Sequence, residues 1–341
     1  EIELATLFEI AKRYGFVYPE IPDFVDPQLN VDNHKSFADE LRDRFAFDDQ
    51  RDPNKLLGYP LNKFETLAKN IDGLQPGFYI LGAYANVGKT ALMTNICLDL
   101  LLTNPSVKVL FLSLDDPDYS TAYRFLSILT QFPINEVKKK NSDPNKQNTL
   151  IAKRDFLLDL VESGRLIIKD LGKVNQIDQL ENEIESIGVK DLVVFLDAMY
   201  NLEVEDKEGT RIENIKRAQS IKVVVDTYKI PVIASAELRK PAKEEGKNKK
   251  PTMHDLLETG KYAYNANVVW MLSPLTATQL NEDYSALVLE FAKNKLSDFK
   301  GTQNIIFTRA TGTMEENNLS IVPTLPSGPL FVGLENVGEL E

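Results

Sequence analysis

From about residue 57 onward, short apolar runs alternate with longer amphipathic stretches. The runs fall at 78–82 (FYILG), 108–113 (KVLFLS), 165–169 (RLIIK), 192–196 (LVVFL), 231–235 (PVIAS) and 268–272 (VVWML). Stretches 89–102, 119–131, 176–187 and 211–228 have the length and apolar spacing of helices. A run that is apolar throughout is a strand covered on both faces. Such strands alternating with helices predict an α/β fold, a mostly parallel sheet with helices on both faces. The runs at 286–293 and 303–308 have no helix between them and predict an antiparallel hairpin at the C-terminal side of the sheet.

The ends of the chain read differently. Ile2, Leu4, Leu7, Phe8, Ile10 and Ala11 form a helical apolar stripe within residues 1–15. Residues from Pro19 to Asn33 are rich in Pro, Asp and Asn and predict an irregular connection. A second short helix is predicted at 36–47, with Phe37, Leu41 and Phe45 on one face, followed by a linker at Asp48–Pro53. The expected organisation is a small helical extension and linker (1–56), a main domain (57–311) and a tail (312–341) with scattered Gly, Pro and acids. No internal repeat is visible.

Composition narrows the classes. Of 341 residues, 39 are Lys or Arg and 51 are Asp or Glu, a formal net charge of −12. An acidic total argues against bulk-charge coating of nucleic acid or membrane, and leaves room for a local basic patch. With 43% hydrophobic residues the chain has enough apolar material for a core. Cys97 is the single cysteine, so an intramolecular disulfide is ruled out and a reducing compartment is expected. With only His34 and His254 beside it, no zinc-ligand spacing exists. No apolar run approaches the roughly 20 residues of a membrane span. The chain opens on Glu1 rather than Met, as expected of a piece of a longer protein.

The strongest local signal is Ala83-Tyr84-Ala85-Asn86-Val87-Gly88-Lys89-Thr90, followed by Ala91, between a predicted strand and a predicted helix. Binding a nucleotide phosphate takes closely approaching backbone N–H groups, a helix N-terminus, a cation and a hydroxyl for Mg²⁺. A loop ending Gly-Lys-Thr supplies all four. Gly88 permits close backbone approach, Lys89 neutralises phosphate charge and Thr90 holds Mg²⁺. Ala83 stands where the usual pattern has Gly. Hydrolysis also takes a carboxylate for the metal and one to orient water. Asp197 ends the run 192–196, where a metal carboxylate belongs, and Asp115 and Asp116 lie just past the run 108–113.

These residues resemble the RecA-like motor domain of DnaB-type replicative DNA helicases, especially phage-type members, from about Gly58 to Thr308. Gly73-Leu74-Gln75-Pro76-Gly77 is similar to the family's lead-in to the first strand, and Ala83–Thr90 to its phosphate loop. Leu112-Ser113-Leu114-Asp115 resembles a Ser-Leu-Glu segment, which puts Asp115 in the place of the catalytic glutamate. Ser235-Ala236-Glu237-Leu238 resembles the Ser-Gln-Leu sensor and brings in Glu237. Lys250–Gly260 resembles the DNA-facing segment, with Leu257 where an arginine is usual. Lys293-Asn294-Lys295 resembles the Lys-x-Arg element that reaches a neighbour's nucleotide, with Lys295 for the arginine.

The resemblance implies ATP and Mg²⁺ as cofactors, single-stranded DNA as partner and a homo-oligomer, a hexameric ring. It also implies a primase or helicase loader as further partners, and the cytoplasm (the host's, for a phage-encoded protein). Residues 239–250 carry Arg239, Lys240, Lys243, Lys247, Lys249 and Lys250 against Glu244 and Glu245. With the resemblance, DNA contact is expected from Lys247, Lys249, Lys250, Glu258, Thr259, Gly260 and Lys261. Two other readings stay open at the sequence level: a RecA-superfamily ATPase that does not unwind, and a nucleotide-gated assembly protein with little turnover.

Overall fold

The computed structural model describes residues 36–204, 210–238, 251–256, 261–279 and 284–317. The stripe at 1–15, the connection at 19–33 and most of the tail lie outside the described residues. The chain divides into two compact units between Lys55 and Leu56. In the first, α1 (Phe37–Asp49) starts at Ser36, whose side chain accepts the Asp39 N–H.

The second unit begins with α2 (Glu65–Asn70) and then alternates as the hydrophobic pattern predicts. The order is β1 (Gly77–Ala83), α3 (Lys89–Thr103), β2 (Lys108–Ser113), α4 (Asp118–Thr130), α5 (Ile134–Val137), α6 (Pro144–Glu162), β3 (Leu166–Asp170), α7 (Ile177–Ile187), β4 (Leu192–Asp197), α8 (Thr210–Tyr228) and β5 (Pro231–Glu237). Then come α9 (Lys261–Asn265), β6 (Val268–Gln279), β7 (Tyr284–Asn294), β8 (Thr302–Thr308) and β9 (Thr313–Glu316). Among the described residues these strands form one nine-stranded sheet in the order β3-β2-β4-β5-β1-β6-β7-β8-β9. Strands β1 to β6 pair in parallel, and β6 to β9 pair antiparallel. The predicted hairpin is β7 with β8, and it belongs to a longer antiparallel extension that includes β9.

Alternation along each central strand sends successive side chains to opposite faces. Tyr79, Leu81, Phe111, Val193 and Phe195 join one buried cluster with residues of α2, α3, α4 and α6. Phe78, Ile80, Leu110, Leu112, Val194 and Leu196 join the other, with residues of α7 and α8. That double coverage is why these runs read as apolar throughout.

Two carboxylates pin the N-terminal part of this unit. Asp99, buried on α3, accepts the backbone N–H groups of Asn62 (3.1 Å), Lys63 (2.9 Å) and Phe64 (3.0 Å). Glu316 of β9 accepts the N–H groups of Thr66 (3.0 Å) and Leu67 (2.7 Å), in the first turn of α2, where free N–H groups favour a negative charge. The sheet therefore continues past residue 311 and is tied back to the start of the unit.

The topology also places a site. The connection leaving β2 runs toward β3, and the one leaving β4 runs toward β5. At the neighbouring carboxyl ends of β2 and β4 the outgoing chains diverge, which opens the crevice where parallel α/β sheets hold ligands.

Candidate nucleotide-binding site

Strand register sets the frame. Ala83 at the end of β1 lies beside Glu237 at the end of β5, and Ser113 at the end of β2 lies beside Asp197 at the end of β4. The phosphate-loop sequence leaves β1 at this edge. Asn86 and Gly88 take positive φ (63° and 123°), which the turn into α3 needs, and Gly88 caps that helix. A Cβ at Gly88 would come within 2.7 Å of Met314 Cε and 3.2 Å of Phe307 Cε1, so glycine also permits the packing of β8 and β9 against the loop. Val87 is buried, the helical ladder begins with the Leu92 N–H donating to the Gly88 carbonyl oxygen at 2.9 Å, and the Ala91 carbonyl oxygen accepts from Asn95 Nδ2 at 2.7 Å.

Lys89 donates to the carbonyl oxygens of Ala83 (3.2 Å) and Tyr84 (3.3 Å). Burial holds its ammonium below the usual lysine range, and the negative charges of Glu237, Asp197 and Asp115 oppose that shift. Asp197 is buried, and burial pushes its carboxyl above the usual carboxylate range. Hydrogen bonds from Ser235 and Thr90 and the charge of Lys89 pull it back, while Asp115 adds to the rise. Thr90 thus stands beside Asp197 with a hydroxyl and a carboxylate together, the oxygen donor set that suits Mg²⁺. Asp115 follows β2, and its backbone N–H is 3.2 Å from the Asp197 carbonyl oxygen.

The structure brings together Lys89, Thr90, Asp115, Asp197 and Glu237 from four different segments. Asp116 is turned to another task, an ion pair with Arg124 at 2.8 Å. Lys293 and Lys295 are not part of this group. Lys293 lies near the end of β7 and Lys295 just past it; that end pairs with Val268 and Val269 of β6, themselves beside Tyr79 and Ile80 of β1, away from the loop after Ala83. Lys293 donates to the carbonyl oxygens of Ala263 and Tyr264, the latter at 2.9 Å, and so caps the end of α9. Burial and the adjacent Lys295 lower its ammonium to about 8. Lys247, Lys249, Lys250, Glu258, Thr259 and Gly260 lie outside the described residues, and Lys261 opens α9.

The first residue of the sensor-like segment and two residues outside any motif also belong to the site. Ser235 donates directly to Asp197 Oδ1. Tyr200, in the turn after β4, has its phenol pushed up to about 12 by burial and by the charges of Asp115, Glu237 and Asp197. Asn201, next to it, donates from Nδ2 to the Leu114 carbonyl oxygen at 3.0 Å. For Tyr200 and Asn201 the sequence signal is their position a few residues past Asp197.

The family described as DnaB-like helicase C terminal domain matches residues 61–317. That span is most of the chain and holds the whole of this site.

The chain belongs to that family.

Two Helicobacter pylori proteins, each named replicative DNA helicase DnaB, are similar to it. The one from strain J99 is 26% identical over 225 residues, covering 64% of this chain and 44% of the relative. The one from strain 26695 is 24% identical over 247 residues, covering 70% of this chain and 48% of the relative. The chain thus spans about half the length of these relatives. Among solved structures, one described as an ATPase domain superposes with a TM-score of 0.71 at 16% identity, covering 83% of this chain and 99% of that one. A DnaB-like replicative helicase, solved in a study of its interactions with primase, superposes at 0.70 and 16% identity, covering 82% and 68%. These likenesses show the RecA-like fold of the DnaB-like helicase domain. No helix among the described residues is long and apolar enough to cross a membrane.

Proposed function

We propose that this chain is the motor part of an ATP-dependent DNA helicase that separates duplex DNA during replication. The observation that carries the reading is the convergence of Lys89, Thr90, Asp115, Asp197 and Glu237 at one edge of the sheet. Family membership gives that cluster its substrate class.

Position and chemistry support the roles at the phosphate loop, and the family resemblance supports the rest. Backbone N–H groups of Tyr84–Ala91 and the ammonium of Lys89 hold the phosphates of ATP. Thr90 and Asp197 hold Mg²⁺, which supplies positive charge against the phosphate oxygens. Asp115 orients the attacking water and takes its proton as the terminal phosphoryl group leaves. Glu237, at the end of β5 beside Ala83, senses the terminal phosphate. Lys293 and Lys295 serve the nucleotide of a neighbouring copy, which is consistent with their distance from their own loop and requires a homo-oligomer, read as a hexameric ring. Lys247, Lys249, Lys250, Glu258, Thr259, Gly260 and Lys261 contact single-stranded DNA. A 5′–3′ direction, a primase or loader as partner and a cytoplasmic setting follow from the resemblance.

A forked duplex with one labelled strand tests the reading. ATP and Mg²⁺ should release the strand with the native chain and not with Lys89→Ala. Hydrolysis stimulated by DNA without strand release would favour an ATPase that does not unwind.

A further inference from the structure

The peptide group between Leu114 and Asp115 is held at both ends by the strand and turn beside it. Its N–H, on Asp115, points to the carbonyl oxygen of Asp197 at 3.2 Å. Its C=O, on Leu114, accepts from Asn201 Nδ2 at 3.0 Å. The preceding N–H, on Leu114, also goes to the Asp197 carbonyl oxygen, at 2.6 Å. Two bonds of opposite sense on one planar unit fix the orientation of that plane. The plane fixes the N–Cα bond of Asp115, from which its side chain departs.

Both partners of the Asn201–Leu114 bond are held in place. The side chain of Leu114 is buried in the sheet face shared with α7 and α8. Asn201 sits in a helical turn, Met199–Asn201, closed by Asn201 N–H to Ala198 O (3.1 Å) and Leu202 N–H to Met199 O (3.2 Å). Met199 and Leu202 are fully buried. From α8, the buried Arg217 donates through Nε to the Leu202 carbonyl oxygen at 2.5 Å. The amide of Asn201 therefore acts from a fixed base.

Asp115 needs such a device. An aspartate has two side-chain torsions and a short reach, so its carboxylate follows the backbone closely. A misplacement of about 1 Å at a reacting group can cost a hundredfold in rate. We infer that Asn201 is a positioning residue for hydrolysis, aiming Asp115 through the Leu114–Asp115 peptide. The inference rests on the reading of Asp115 as the group that orients water.

The test is a double-mutant cycle on the full chain, with steady-state ATP hydrolysis, binding of a fluorescent non-hydrolysable ATP analogue and thermal melting. Asn201→Ala should lower kcat about tenfold, with KM and analogue affinity within about twofold of native. Asn201→Asp, which keeps the shape and loses the donor, should fall as far and covers the case of an alanine variant that does not fold. In an Asp115→Asn background, itself down about a hundredfold, either change should alter the residual rate less than about twofold, because the group being aimed is gone. A kcat within twofold of native in both Asn201 variants, or equal losses in the two backgrounds, would overturn the inference while leaving Asp115 in place. Native turnover in Asp115→Asn alone would overturn the role of Asp115 and the inference with it.

Discussion

Ser235 donates its hydroxyl to Oδ1 of Asp197 across the neighbouring parallel strands β5 and β4. The carboxylate assigned to the metal is thus held by a strand partner as well as by Thr90. Burial pushes the Asp197 carboxyl upward, and these donors hold it down. Removing one of them lets it rise further. Ser235→Ala should therefore protonate Asp197 at a higher pH and move the acidic limb of the hydrolysis profile upward. A pH–rate profile of kcat/KM checks this, and an unmoved acidic limb contradicts it.

The same shift has a stability consequence. A carboxyl whose folded value lies above its unfolded value favours the folded state while it is protonated, and that contribution is lost as pH rises through the folded value. Asp197→Asn removes the buried charge. It should raise the melting temperature at neutral pH while abolishing Mg²⁺-dependent hydrolysis, and the gain should shrink as pH falls toward the ordinary carboxylate range. Melting curves at two pH values measure both parts.

Asp99 is the buried acceptor of three backbone N–H groups at Asn62, Lys63 and Phe64. Hydrogen bonds to a charged group are worth about 1.5–3 kcal/mol, and orphaned buried donors add a cost. Asp99→Ala should destabilise the domain by about 3 kcal/mol, read from denaturant unfolding. A change below about 1 kcal/mol would mean that water satisfies those donors.

Much of this architecture can be read from the order of apolar runs, because strands buried on both faces leave little room for polar residues. The departures have local causes. Helix α6 carries Leu150, Leu157 and Leu160 inward but Ile151, Leu158 and Val161 outward, so its apolar period is blurred. Strand β6 runs on to Gln279 through Ser273 and Pro274, past a register shift in its pairing with β7. Strand β9 is four residues long and carries two acids, one of which caps α2. In the site, Lys89, Thr90 and Asp197 announce themselves by motif and position. The roles of Ser235 and Asn201 do not, because their partners Asp197 and Leu114 are set by strand register and by a turn.

Lys293 offers a test of action between copies. Burial and Lys295 lower its ammonium to about 8, so it loses charge as pH rises through that value, where a free lysine would not. If its charge serves a neighbour's phosphate, kcat/KM should fall along an alkaline limb near pH 8. Lys293→Arg keeps the charge at all working pH and should move that limb upward. An identical limb in the arginine variant would assign it to another group.

Phosphate release is the most direct measurement of the central claim. It should be followed with and without single-stranded DNA, at two salt concentrations, for the native chain and Lys89→Ala. The account predicts hydrolysis that DNA stimulates, that added salt weakens through loss of phosphate contacts, and that Lys89→Ala abolishes. Turnover in Lys89→Ala equal to the native rate, or a native rate indifferent to DNA at both salt concentrations, would contradict it.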